Sequence, residues 1–79
     1  MEDLSLPSFE NQLAGHQNYL MRFARLQLRN ETWAEDAVSE TMLAALSKPQ
    51  SFDNRSQLKT WLVGILKHKI LDTFRHHKR

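Results

Sequence analysis

Cysteine is absent from this chain of 79 residues, and glycine and proline occur only twice each. Without thiols the protein can form neither a disulfide framework nor a thiolate metal site. So few glycines and prolines provide few turn-forming residues for β-hairpins, and the composition therefore favours helices. The apolar runs are far shorter than the roughly 20 residues that span a bilayer, and the acidic start is unlike a secretory signal. We predict a single all-α domain over residues 1–79, cytoplasmic and without a membrane partner.

No charge of one sign dominates the total, which is only +2, but the charges are unevenly distributed. Residues 1–47 carry three arginines against seven acids, a net charge of −4. Residues 48–79 carry eight lysines or arginines against two aspartates, a net charge of +6. The basic part suits a polyanion, and the acidic part suits a basic or polar protein surface. The alternative interpretation is a solvated mixture of charges with no partner.

Apolar residues recur at steps of three and four in three segments, which predicts three amphipathic helices in a small three- to four-helix bundle. We predict that residues 1–7 are disordered and that Ser8 caps the first helix, which ends near residues 29–30. The inward stripe of this helix is predicted to contain Phe9, Leu13, His16, Leu20, Phe23 and Leu26.

The second helix is predicted to begin with a capping box formed by Thr32 and Glu35. Its periodicity gives it an inward and an outward face. The inward face comprises Ala34, Ala37, Val38, Thr41, Met42, Ala45 and Leu46. The outward face is largely acidic and comprises Glu35, Asp36, Ser39, Glu40 and Leu43.

A loop is predicted between the second and third helices, because Pro49 forces its predecessor out of helical geometry and the Asn and Asp residues that follow favour turns. Ser56 is the predicted cap of the third helix. The stripe of this helix, including Trp61, is predicted to fill the core. Its members are Leu58, Trp61, Leu62, Ile65, Leu66, Ile70 and Phe74.

No catalytic constellation emerges from the sequence. His16 is a lone histidine among apolar neighbours, which is typical of a packing residue. The carboxylates of the second helix are explained by capping and solvation. Gly15 and Gly64 are isolated, so there is no glycine-rich phosphate loop. We therefore predict a binding protein and not an enzyme, with no cofactor and no metal.

Three sequence blocks carry a resemblance to a known family. They are residues 34–41 (AEDAVSET), 60–65 (TWLVGI) and 70–75 (ILDTFR). In this order and at this separation they resemble conserved region 2 of the extracytoplasmic-function (group 4) sigma factors. The resemblance implies a helical unit that binds the clamp helices of the bacterial RNA polymerase β′ subunit. It also implies capture of the promoter minus-ten element as single-stranded non-template DNA during transcription initiation.

The resemblance assigns roles to individual residues. Polymerase contacts are expected on the outward face of the second helix, at Glu35, Asp36, Ser39, Glu40 and Leu43. The loop at residues 48–57 is expected to hold a flipped-out promoter base, and the third helix is expected to supply further strand contacts. The expected DNA-binding residues are Lys48, Asn54, Arg55, Ser56, Lys59, Thr60, Val63, Gly64, Lys67, His68 and Arg75.

The chain departs from the family pattern at three of these positions. Ser39 stands where the family usually has glutamine, and a shorter side chain reaches less far toward the clamp. Gly64 and His68 stand where many members have arginine and asparagine. The base preference of the family is therefore not transferred to this chain.

The resemblance also implies partners. An anti-sigma factor is expected on the surface that faces the clamp. The family normally has a second domain, region 4, and we expect that this chain is one domain of a longer protein or a truncated member without region 4. The alternative to a sigma-factor domain is a small helical interaction module or regulator with an incidental basic tail.

Overall fold

The computed structural model describes residues 8–48 and 57–77, and in these two stretches every regular element is a helix. Helix α1 spans Phe9–Gly15, α2 spans Gln17–Leu28, α3 spans Glu31–Ser47 and α4 spans Leu58–His77. The predicted all-α bundle is confirmed. No helix in the described stretches is both long enough and apolar enough to cross a membrane.

The first predicted helix is divided in two at His16. Its backbone adopts φ −101° and ψ 0°, and its N–H donates a tight hydrogen bond to the Leu13 carbonyl at 3.0 Å. Gly15, which has a low helix propensity, directly precedes the break. The prediction of one continuous helix was wrong at this residue, whereas the predicted Ser8 cap is present: its Oγ accepts from the Asn11 N–H at 3.1 Å.

The buried face of α2 also differs from the prediction. Leu20, Ala24 and Leu28 are buried, at steps of four residues, whereas Leu26 is 70% exposed. Two residues along a helix correspond to a rotation of about 200°, so Leu26 lies on the side opposite Ala24 and Leu28. The prediction of Leu26 as an inward residue was wrong, because it took two successive steps of three from Leu20, whereas the buried stripe of α2 advances by four.

The turn between α2 and α3 is fixed by two adjacent residues. The N–H of Arg29 donates the last helical hydrogen bond of α2, to the Arg25 carbonyl at 2.9 Å. The backbone of Arg29 is left-handed, with φ 54°, and this conformation ends the helix. Asn30 is then extended, and its Oδ1 accepts from the Trp33 N–H at 2.9 Å. Asn30 is therefore the N-cap of α3, and the predicted Thr32 cap was wrong. The sequence contains two cap-like residues here, and the left-handed Arg29 selects the earlier one.

An ion pair spans the same turn. Arg25 donates to both carboxylate oxygens of Glu31, from Nε at 2.9 Å and from Nη2 at 3.0 Å. The hydrogen bond from Arg25 lowers the pKa of the Glu31 carboxyl below its ordinary value. A lowered pKa in the folded state means that the pair contributes its stability at neutral pH and loses it as acid protonates Glu31. Both side chains are exposed, so the contribution is modest.

The Asn30 cap can be tested by mutation. Asn30→Ala is expected to lower the free energy of unfolding by about 1 kcal/mol, because the Trp33 N–H loses its acceptor. Thr32→Ala, at the cap predicted from the sequence, is the matched control and should change it by less than half as much. Urea denaturation followed by circular dichroism measures both. Equal losses in the two variants would contradict the cap assignment.

The core lies where α3 packs against both α2 and α4, and α1 closes one side by contacting α2. Alanines supply much of the inner side of α3, which lets its neighbours approach closely. The hydroxyl of buried Thr41 donates to the Ala37 carbonyl at 2.8 Å, so this polar atom is satisfied. The buried apolar residues are Leu13, Leu20, Ala24, Leu28, Ala34, Ala37, Val38, Ala45, Leu62, Leu66 and Ile70.

Two further residues that were predicted to face inward are exposed: Leu46 at 43% and Phe74 at 44%. Ile70 is the last buried residue of α4, so the core ends one helical turn before Phe74. Phe74 instead lines an open apolar groove together with Phe23 and Leu71. Trp61 is half-buried against the core, with its ring centroid 6.3 Å from that of Phe9.

Candidate interaction surfaces of α3 and α4

The outward side of α3 forms one continuous surface. Burial of the alanine-rich side leaves the opposite arc of the helix in solvent, and all five residues predicted there are exposed. Leu43 is the apolar member, at one end of an otherwise polar and acidic patch. We call this patch the α3 surface, and it consists of Glu35, Asp36, Ser39, Glu40 and Leu43.

One contact joins the α3 surface to α4. The Lys69 Nζ lies 3.9 Å from Oε1 of Glu40, and it is the one ion pair between α3 and α4 among the described residues. Exposed pairs of this kind contribute little to stability, so the Glu40 carboxylate is available to another cation. Lys69 is thereby held toward α3, on a different side of α4 from the lysines described next.

A groove on α4 brings together five of the residues predicted to bind DNA. Lys59, Thr60, Val63, Gly64 and Lys67 recur at steps of three and four along the helix, so they share one face. The groove has a volume of about 340 Å³. We call it the α4 groove, and its lining consists of Tyr19, Lys59, Thr60, Val63, Gly64 and Lys67.

Tyr19 completes the α4 groove from helix α2 and was not predicted. The Lys59 Nζ lies 4.2 Å from the centroid of the Tyr19 ring, a cation–π distance. The sequence carries only a faint signal for this role, an aromatic residue one step off the buried stripe that contains Leu20. The approach of α2 to α4 is a tertiary contact, which the periodicity of a single helix does not encode.

Gly64 lies in the middle of the α4 groove. A Cβ built at this position would meet nothing within 4 Å, so the glycine is not required by close packing. Its effect is to leave the centre of the groove without a side chain. The two lysines, by contrast, stand eight residues apart, which is about 12 Å along a helix.

The other predicted DNA-binding residues are placed less closely together. Lys48 is exposed at the C-cap of α3, and His68 is exposed on α4 but does not line the α4 groove. Arg75 is exposed two turns beyond Lys67, and its Nη1 lies 3.6 Å from Oδ1 of Asp72. Asn54, Arg55 and Ser56 lie outside the described residues, as does most of the loop predicted at residues 48–57.

The far end of α4 is attached to the start of α3. The rings of Trp33 and His77 are stacked, with centroids 4.0 Å apart and an interplanar angle of 16°. Within residues 8–48 and 57–77 there is no group of three or more His, Asp or Glu side chains that could hold a metal ion.

Comparison with known proteins gives two kinds of match. A family model described as Sigma-70 region 2 matches residues 13–79. A Haemophilus influenzae protein named "Probable RNA polymerase sigma factor" is 35% identical over 79 residues, which is 100% of this chain and 37% of that protein. The Bacillus subtilis "ECF RNA polymerase sigma factor SigX" is 33% identical over 60 residues, 76% of this chain and 30% of that protein. The chain thus spans about a third of the length of these relatives. No solved structure matches the chain.

Proposed function

This chain belongs to the sigma-70 region 2 family, and we propose that it acts in the cytoplasm as the part of a sigma factor that joins RNA polymerase to promoter DNA during transcription initiation. The resemblance to extracytoplasmic-function sigma factors, read from residues 34–75, is confirmed by the family match and by the relatives. The role is one of binding and not of catalysis.

The first part of the proposal is that the α3 surface binds the β′ clamp helices of RNA polymerase. Its support is the exposure of all five residues that the family pattern assigns to this contact. Glu35, Asp36 and Glu40 present three carboxylates to a basic partner, and Leu43 adds an apolar contact. An anti-sigma factor bound to the same surface would block polymerase by occupying it.

The second part is that the α4 groove binds the non-template strand of the minus-ten element as single-stranded DNA. The observation that carries it is the convergence of five assigned residues in one groove. Lys59 and Lys67 offer ammonium groups to phosphates, and Thr60 offers a hydroxyl to a base edge or a phosphate. The predicted loop at residues 48–57 would complete the base-binding site.

Single-strand binding can be tested with the 79-residue chain and fluorescent oligonucleotides. We expect a preference for a minus-ten non-template strand over a scrambled strand of the same composition. Log affinity should fall with log salt concentration with a slope of about −0.7 for each phosphate neutralised. Lys67→Gln should reduce the magnitude of this slope by roughly 0.7, because one phosphate contact is lost.

Lys69→Gln is the matched control for this experiment. It removes the same charge from the same helix, two residues away, but from a lysine that faces Glu40. We expect its salt slope to equal that of the unmodified chain. No sequence preference, together with equal slopes for both lysine variants, would favour the alternative function: a helical interaction module whose basic charge is incidental.

A further inference from the structure

Tyr19 is the one member of the α4 groove that neither the charge pattern nor the family resemblance assigns. We propose that Tyr19 is a stacking platform for one unpaired base of the bound strand, so that α2 as well as α4 recognises single-stranded nucleic acid. This inference rests on the proposed single-strand binding of the α4 groove and names the residue that would hold a base there.

The first observation is the position of the ring. Tyr19 is 42% exposed, although it is a large aromatic residue. The next residue, Leu20, is fully buried, so the backbone at this point of α2 is anchored against the core. The ring therefore projects from a rigid helix and not from a loop, which limits the entropy lost when a ligand stacks on it.

The second observation is the lysine on the ring. The Lys59 ammonium lies 4.2 Å from the centroid of Tyr19, over one face of the ring. A base would therefore stack on the opposite face. The same ammonium is within the α4 groove and can contact the phosphate of the stacked nucleotide. An aromatic ring paired with a lysine is the combination by which single-strand binding proteins hold bases and backbone together.

The third observation is the size and lining of the groove beside the ring. Thr60, Val63 and Gly64 have short side chains or none, and the space at Gly64 is open. The volume of about 340 Å³ lies at the small end of the range for small-molecule sites, which is roughly 300–1,000 Å³. A groove of this volume has room for a single base beside the ring.

Affinity measurements separate stacking from charge. Tyr19→Ala is expected to weaken binding of the minus-ten non-template strand by about tenfold while leaving the salt slope unchanged, because no phosphate contact is lost. Tyr19→Phe keeps the ring and should bind within about twofold of the unmodified chain. Lys67→Gln should give the opposite pattern, with a changed slope.

These outcomes distinguish the inference from the function on which it rests. If the unmodified chain binds the strand with the expected salt slope and Tyr19→Ala binds equally well, the stacking role is overturned and the proposed function stands. If the unmodified chain does not bind the strand, both are overturned. Circular dichroism of Tyr19→Ala would establish that its helices are retained.

A second measurement needs no substitution. Tyr19 is the only tyrosine in the chain, so 3-fluorotyrosine gives a single ¹⁹F NMR signal that reports on this ring alone. We expect the signal to shift saturably with the minus-ten strand and to shift much less with an abasic strand of equal length. An equal shift with the abasic strand would mean that the ring senses phosphate through Lys59, and it would overturn base stacking.

Discussion

Glu40→Lys is expected to abolish binding to an isolated β′ clamp-helix fragment while leaving the helical content unchanged. Glu40 is the most central carboxylate of the α3 surface, and reversal of its charge would place an ammonium against the basic partner that we propose for this surface. Like charges juxtaposed in an interface are unfavourable by several kcal/mol, so affinity should fall by roughly a hundredfold or more. Titration calorimetry measures the affinity, and circular dichroism measures the helices.

Two further variants isolate the role of Glu40. Asp72→Lys makes the same change in net charge at an exposed residue of α4, and this variant should bind the fragment normally. Glu40→Lys combined with Lys69→Glu restores opposite charges at the 3.9 Å contact with α4. If the double variant still fails to bind, the defect lies in the lost contact with polymerase and not in the broken ion pair. Normal binding by Glu40→Lys alone would show that the clamp surface is assigned to the wrong face.

Leu62→Ala should destabilise the fold more than any exposed substitution. Leu62 is completely buried on α4, and truncation of a buried leucine lowers the free energy of unfolding by about 2–5 kcal/mol. A domain of this length has a total stability of only about 4–12 kcal/mol, at roughly 0.05–0.15 kcal/mol per residue. The loss is therefore a large part of the total free energy of unfolding, and the melting temperature should fall by about 10 °C or more.

Leu26→Ala is the matched control for Leu62→Ala. It removes the same atoms from a leucine that is 70% exposed, so its melting temperature should stay within a few degrees of the unmodified chain. Thermal unfolding followed at 222 nm compares the two variants. A large loss for Leu26→Ala and a small one for Leu62→Ala would mean that the buried faces of α2 and α4 are reversed.

Helix periodicity predicted the features that depend on one helix at a time. The outward acidic face of α3 and the buried positions Leu62, Leu66 and Ile70 of α4 follow from steps of three and four, because residues at that spacing share a face. Ser8 was identifiable as a cap because it stands immediately before Phe9, the first residue of the apolar stripe. The all-α class followed from composition together with these periods.

The features that were missed depend on a choice between two possible cap residues or on contacts between different helices. Asn30 and Thr32 are both acceptable caps, and the sequence pattern does not choose between them, whereas in the structure Asn30 follows the left-handed Arg29 and accepts from the Trp33 N–H. The break at His16 ends a helix that periodicity alone would continue. Tyr19 meets Lys59, and Glu40 meets Lys69, across helices that are distant in sequence, so neither contact has a signature within its own segment. The residue roles at the proposed interfaces stay predictions.

The alanine-lined side of α3 sets the geometry between the two proposed binding partners. Helices that meet through small side chains approach to the short end of the usual interaxial range of 8–10 Å, and tightly packed interiors yield little under load. Ala34, Ala37 and Ala45 are all buried on the inner side of α3. We therefore expect the distance between the α3 surface and the α4 groove to change little. A protein bound to the α3 surface and a DNA strand bound to the α4 groove would then be held at a constant distance from each other. Binding of one would position the other without a conformational change in the domain.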